Sequence, residues 1–351
     1  MSIVLFFIVL AVLILSHEFG HFLAAKRSGV KVEEFGFGFP PKIFKFKRGE
    51  TVYSLNAIPF GGFVKITGEE GENKNDPRSF SFKPIWVRTM IIAAGVVFNV
   101  ILAWFLLAVG FMAGMPSSVQ SAPSGAEIKD RRVIILQVAE DSPAKIAGLK
   151  PGDEIAGFPG VEEFKSFIAA SLGKEIEIKY RRDGKDNSAR VVPRENPPAG
   201  EGAIGISMDE IGTVKLPVLR SFLEGAKTTY NVLIGTALSF YNFVAAAIKG
   251  EAGLGAITGP IGIAGFVGSA AKFGFGYFVS FVAFLSVNLA IINILPFPAL
   301  DGGRILFLAI EKIKGSPVSP RISAAIHGAG MALLLALMLL VTFKDILKLV
   351  S

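Results

Sequence analysis

Residues Ile3–Ala25 read IVLFFIVLAVLILSHEFGHFLAA, a run apolar enough to cross a membrane that nonetheless carries two histidines and a glutamate. At about 1.5 Å per residue, a helix here spans the roughly 30 Å hydrocarbon core of a bilayer. It does not read as a removable leader, since no basic residue precedes it and no small-x-small site ends it. Ionisable groups within lipid cost several kcal/mol and by default mark function. His17 and His21 stand four residues apart on one helix face, where two imidazoles can grip one metal ion. Glu18 beside them reads as the general base for a metal-bound water, whose pKa zinc lowers to about 7.

The rest of the chain fits a membrane setting. Of 351 residues 51% are hydrophobic, and the mean hydropathy is +0.54, which implies several spans joined by polar parts. There is no cysteine, so disulfide frameworks and thiolate zinc sites are excluded. A formal charge of +7 suits anionic headgroups of a lipid bilayer. No basic helix or aromatic-basic module supports nucleic-acid binding. Further apolar runs lie at Thr89–Met115, about Phe275–Leu295 and about Ala324–Phe343, giving four expected spans.

Between the first two runs Lys26, Arg27, Lys31, Lys42, Lys45, Lys47 and Arg48 mark the cytoplasmic side. There Lys42–Lys47 alternates, Arg48-Gly49-Glu50 reads as a turn and Thr51–Leu55 as a return strand, which predicts a β-hairpin over residues 42–55. Residues 120–210 are more polar. Within them Val133–Val138 and Glu175–Tyr180 read as strands. The stretch from Asp141 through Ser142-Pro143-Ala144, Ala147-Gly148-Leu149 and Pro151-Gly152-Asp153 to Ile155 resembles the signature of PDZ domains. That resemblance implies a peptide ligand docked by strand addition, or else a steric filter. Pro217–Ile248 mixes apolar residues with Arg220, Glu224 and Lys227, and reads as an amphipathic surface helix rather than a span.

Two histidines leave a catalytic zinc site one protein ligand short. His327, in the last run, reads as a helix-packing residue. Asp301 is the better third ligand, because Pro296 and Pro298 break the helix before it and Gly302-Gly303 follow. Irregular backbone at membrane depth needs a protein or water-filled surround. With four spans, the third delivers Asp301 to the side of the histidines, and one additional crossing at 217–248 would place it on the wrong face.

His17-Glu18-Phe19-Gly20-His21, Leu55–Lys65, Gly259-Pro260-Ile261, Asn288, Asn293 and Leu300-Asp301-Gly302 occur in the order of the site-2 protease family of intramembrane metalloproteases, and the chain resembles its bacterial RseP type over nearly its whole length. The resemblance implies one zinc ion per chain on His17, His21 and Asp301, with Glu18 activating water. It implies transmembrane proteins with a single span as substrates, such as anti-sigma factors or signal-peptide remnants. Asn288 and Asn293 would engage the substrate backbone, with Pro296 and Pro298 in the same motif, and a re-entrant β element, for which residues 42–55 are the candidate, would hold the unwound substrate. The location implied is a bacterial inner membrane, with the PDZ-like part outside the cytoplasm.

The expected architecture is a polytopic α-helical membrane protein with four transmembrane helices, a membrane-associated β-hairpin and an inserted PDZ-like α+β domain. Residues 1–115 hold spans one and two with the hairpin, 116–210 the PDZ-like domain, 211–272 an amphipathic helical region, and 273–351 spans three and four. Two departures stand out: room for one PDZ domain where relatives often have two, and Arg304 where they often have histidine. The alternative is a catalytically inactive membrane scaffold presenting a PDZ domain, which has no use for the His/Glu/His/Asp set.

Overall fold

The computed structural model describes residues 2–350 apart from 70, 73, 74, 183, 199 and 251–257. In chain order the elements are α1 (Ser2–Arg27), β1 (Val32–Arg48), β2 (Thr51–Ile66), α2 (Ile85–Ala113), β3 (Met115–Ser118), β4 (Glu127–Val138), α3 (Pro143–Ile146), β5 (Glu154–Ile155), α4 (Val161–Ala169), β6 (Ile176–Arg182), β7 (Lys185–Val191), β8 (Ile206–Lys215), α5 (Val218–Ile248), α6 (Pro260–Lys272), α7 (Phe275–Ile294), α8 (Asp301–Lys314) and α9 (Pro320–Val350). They fall into two compact units, one of residues 1–109 with 222–351, the other of residues 110–221.

In the first unit small residues let the helices approach closely, as membrane packing favours. A Cβ on Gly20 of α1 would stand 2.3 Å from the Ala94 carbonyl oxygen of α2. Val9 and Leu13 of α1 pack with Val282 of α7 and Val267 of α6. Further along both helices Leu289 and Asn293 of α7 share a cavity with His17 and His21 of α1, so α1 and α7 run the same way. A second core joins Ala25, Val30, Val32 and Ile66 to Val87, Ile91 and Ile92 of α2 and Leu308 of α8. Arg88 of α2 forks onto Glu311 of α8 through bonds of 3.0 and 2.5 Å.

The hairpin is longer than residues 42–55. Arg48 pairs with Thr51 and Phe44 with Leu55, but Phe35 pairs with both Tyr53 and Val64. The chain bends at Gly38–Pro41 and again near Pro59–Gly61, so four ribbons lie side by side in the order 62–66, 32–37, 52–55, 44–48. Prolines and glycines that read as strand breakers act here as bends within one ladder.

The helices α1, α2, α5, α7 and α9 are all long and apolar enough to cross a membrane. The expectation of four spans thus meets a fifth candidate in α5, whose most apolar window has a mean hydropathy of 1.5 against 2.1 to 2.5 for the others. Its start is fixed to α2, where Trp104 Nε1 donates to the Phe222 carbonyl at 2.8 Å. The Gly-Pro-Ile stretch proves to be the start of α6. Pro260 needs no hydrogen-bond acceptor there, and the Gly262 N–H donates to Asp345 of α9 at 2.9 Å.

The second unit is a six-stranded sheet in the order β3-β8-β4-β5-β6-β7, with every pairing antiparallel. Phe164, Ile135, Leu149 and Ile178 lie at the centre of its core. Ser142 caps α3 by accepting from the Lys145 N–H at 3.2 Å, and Pro143 occupies the first turn. Asp153, at the end of the Pro-Gly-Asp turn, accepts the Lys150 N–H at 2.8 Å and two bonds from Arg182 at 2.6 Å.

Candidate metal centre

Four residues apart on α1, the two imidazoles turn their Nε2 atoms toward each other at 3.1 Å. Each ring is oriented from α2. The Nδ1 of His21 lies 2.9 Å from the Ile91 carbonyl, which can only accept, so the proton sits on Nδ1. The Nδ1 of His17 lies 3.4 Å from the Asn99 amide, whose buried Oδ1 has no partner. Turned over, that amide would accept the His17 Nδ1 proton, which favours the same tautomer. Both Nε2 atoms then present bare lone pairs, as metal ligation requires.

The third donor arrives from α8. The chain stops at Ile294, runs through Pro296 and Pro298, and restarts at Asp301, the first residue of the helix. Gly302 and Gly303 permit this close return, because a Cβ on either would strike loop carbonyls at 2.1 to 2.3 Å. Asp301 Oδ2 stands 3.0 Å from His17 Nε2 and 3.3 Å from His21 Nε2. Three donors about 2 Å from one tetrahedral zinc would lie about 3.3 Å apart. The observed triangle of 3.0, 3.1 and 3.3 Å fits such an ion, with no thiolate and three hard or borderline donors. Asp301 Oδ2 is buried with no hydrogen-bond partner among the described residues, an atom suited to meet a cation.

The triangle opens on a cavity of about 380 Å³ that is also lined by Glu18, Asn293 and Arg304. Gly61, Gly62, Phe63 and Val64 also line it and carry the outer edge of the hairpin sheet, with Gly62 packed against Ile14 and Glu18. Among the described residues Gly62 and Val64 pair on one side only, with Phe37 and Phe35. The strand edge facing the candidate centre is therefore 61–66 rather than 42–55, because the ladder turns back where the sequence reading ended it. Arg304 forms an ion pair with Glu69 at the cavity wall.

The asparagines and prolines divide. Asn293 lines the cavity, whereas Asn288 is not among its described lining residues and its Nδ2 donates to the Phe284 carbonyl at 2.8 Å within its own helix. Pro296 and Pro298 shape the turn without lining the cavity, a place taken by Ala299 and Leu300. Asn99 stands out in the sequence as the single strongly polar side chain of the run Thr89–Met115 but has no assigned role there, and Gly95 has no place at all. Asn99 is the lone amide of an apolar run, a signal in itself. A Cβ on Gly95 would stand 2.4 Å from His21 Nε2, so only glycine leaves room for the pair.

Comparison with known proteins gives the family. The profile of Peptidase family M50 matches residues 5–337. A Clostridium perfringens chain whose name places it among the zinc metalloproteases is 36% identical, covering 99% of both chains. The zinc metalloprotease RasP of Geobacillus kaustophilus is 30% identical over 99% of this chain and 98% of its own length. The regulator of sigma-W protease RasP of Bacillus subtilis is 30% identical over 99% of both. An HExxH helix, a distant carboxylate brought to it and an end-to-end match lead to one assignment: the chain belongs to Peptidase family M50, the site-2 proteases, and is a zinc metalloprotease.

Proposed function

We propose that this protein is an intramembrane endopeptidase that cuts single-span membrane proteins in regulated proteolysis, with one zinc ion held by His17, His21 and Asp301. The observation that carries the reading is the donor triangle opening on a cavity that also contains Glu18. Bound there, zinc would supply Lewis-acid polarisation of a water and of the scissile carbonyl. Glu18 takes a proton from the attacking water and returns it to the leaving nitrogen. The C–O bond forms, the C–N bond breaks, and the carboxylate ends as it began. Asn293 offers its amide to the substrate backbone from the cavity wall, with Asn288 on the same helix and Pro296 and Pro298 in the turn as further substrate-binding residues.

A helical substrate buries its peptide bonds in its own hydrogen bonds and must be unwound first. The free edge at Gly61–Ile66 would hold an unwound segment by strand addition, beside Glu18.

The topology is four spans, with α5 on the membrane surface. The side-by-side course of α1 and α7 supports this reading: with α1, α2 and α7 as spans, the chain between α2 and α7 begins and ends on one side of the bilayer. A crossing by α5 would need a return before α7, and α6 offers 13 residues, about 20 Å of helix. Residues 116–210 form the PDZ-like domain on the extracytoplasmic face of a bacterial inner membrane, receiving a peptide or filtering substrates by size. The sigma-W role in the printed name of the Bacillus subtilis relative makes a membrane-bound anti-sigma factor a substrate class to test first.

The test is incubation of the purified full chain with single-span substrates, with and without a zinc chelator, beside the Glu18→Gln form. Cleavage by the native chain alone is expected, with a loss of about 10²-fold or more in the variant. Equal results from native and Glu18→Gln chains would favour the scaffold instead.

A further inference from the structure

We infer that His327, the one histidine outside the donor pair, is a positioning residue that holds Asp301 in place through the backbone of Ala299. The inference rests on Asp301 being a zinc ligand.

The turn Pro296–Leu300 must deliver a carboxylate to within about 3 Å of two imidazoles, and it does so through a backbone conformation its sequence disfavours. Ala299 has φ +76°, in the left-handed region that a Cβ makes costly, and no glycine relieves it. Its N–H donates to His327 Nδ1 of α9 at 2.9 Å. Among the described residues this is the one side-chain hydrogen bond made to residues 296–300. The acceptor nitrogen requires the proton on Nε2, the opposite tautomer to His17 and His21. The ring is held edge-on to Phe307 of α8, with centroids 5.1 Å apart at 80°. One turn further along α9, a Cβ on Gly330 would meet Pro298 Cβ at 2.5 Å, so α9 is pressed against the same turn.

The turn is thus held between the two glycines of α8 and the face of α9, with His327 supplying the directional contact. Without that acceptor the Ala299 N–H would be left unpaired beside the cavity, and the residue would relax toward negative φ. Leu300 and Asp301 follow it directly in the chain, so the relaxation would swing the carboxylate away from the imidazoles. A packing role for His327 would rest on its ring contact with Phe307 and would be indifferent to the acceptor.

Zinc affinity of the purified full chain, measured by chelator competition, separates these roles. His327→Phe keeps an aromatic ring against Phe307 and removes the acceptor, and its affinity should fall about tenfold or more. His327→Asn places an amide oxygen close to the Nδ1 position and should remain near the native value. Ala299→Gly added to His327→Phe should recover most of the loss, because glycine takes positive φ freely. Native affinity in His327→Phe, or an equal loss in His327→Asn, would overturn the inference. Native zinc affinity in Asp301→Ala would overturn the ligand assignment beneath it, whatever the His327 variants do.

Discussion

Gly95 of α2 lies directly against His21 of α1, so closely that an added Cβ would come to 2.4 Å of Nε2 and 2.7 Å of His17 Cε1. The absence of a side chain at one position on the second helix makes the space in which the first helix can gather its donors. Gly95→Ala should therefore displace both imidazoles. Alanine is the better helix former, so α2 itself should persist, and helical content should be unchanged. Zinc affinity is expected to fall by roughly 10²-fold, which chelator competition would measure. Unchanged zinc binding would mean that the helices separate at little cost.

Glu18 and Asp301 should separate function from metal retention. Glu18→Gln is expected to bind zinc as the native protein does while losing cleavage by about 10²-fold or more. Asp301→Ala leaves two protein donors and should lose the ion during purification. Elemental analysis beside a cleavage assay distinguishes the two.

Arg88 and Glu311 tie α2 to α8, the helix that begins at Asp301, with side chains only 12% and 14% exposed. Removing one partner strands a buried charge. Glu311→Leu or Arg88→Met should each lower stability by about 3 kcal/mol, and the double replacement Arg88→Met with Glu311→Leu should recover a large part. Thermal unfolding in detergent measures the cycle. Additive losses would show that the two groups do not depend on each other.

Asp153 tests the second unit separately. It is 1% exposed and takes bonds from Arg182 and the Lys150 N–H. Asp153→Ala should cost about 2–3 kcal/mol in the unfolding of residues 110–221, since Arg182 reaches partly into solvent. The zinc content of the protein is expected to stay at its native level.

The grouping of His17, His21 and Asp301 was legible because membrane chemistry is intolerant: histidines and a glutamate in an apolar run, and an aspartate after two helix-stopping prolines, have few other uses. What supports the donors was not legible. Asn99, Ile91 and Gly95 act through the rotational setting of α2 against α1, which composition does not encode. His327 read as packing because its partner is a backbone N–H, and any residue except proline carries one. The hairpin was recognised only in its outer half. Pro59 and Gly61-Gly62 end a strand by propensity, whereas the ladder here bends and continues through them. In α5, Arg220, Glu224 and Lys227 pointed to a surface helix, while its length of 31 residues also satisfies a span.

The division of the donors between α1 and α8 bears on how such a hydrolase is made. While the ribosome is still extending the chain, α1 enters the bilayer with its two imidazoles but without the carboxylate that completes them. No nascent fragment lacking α8 holds all three donors, so cutting power would arrive only near the end of synthesis. Premature termination would then leave inert pieces in the membrane rather than an unregulated blade.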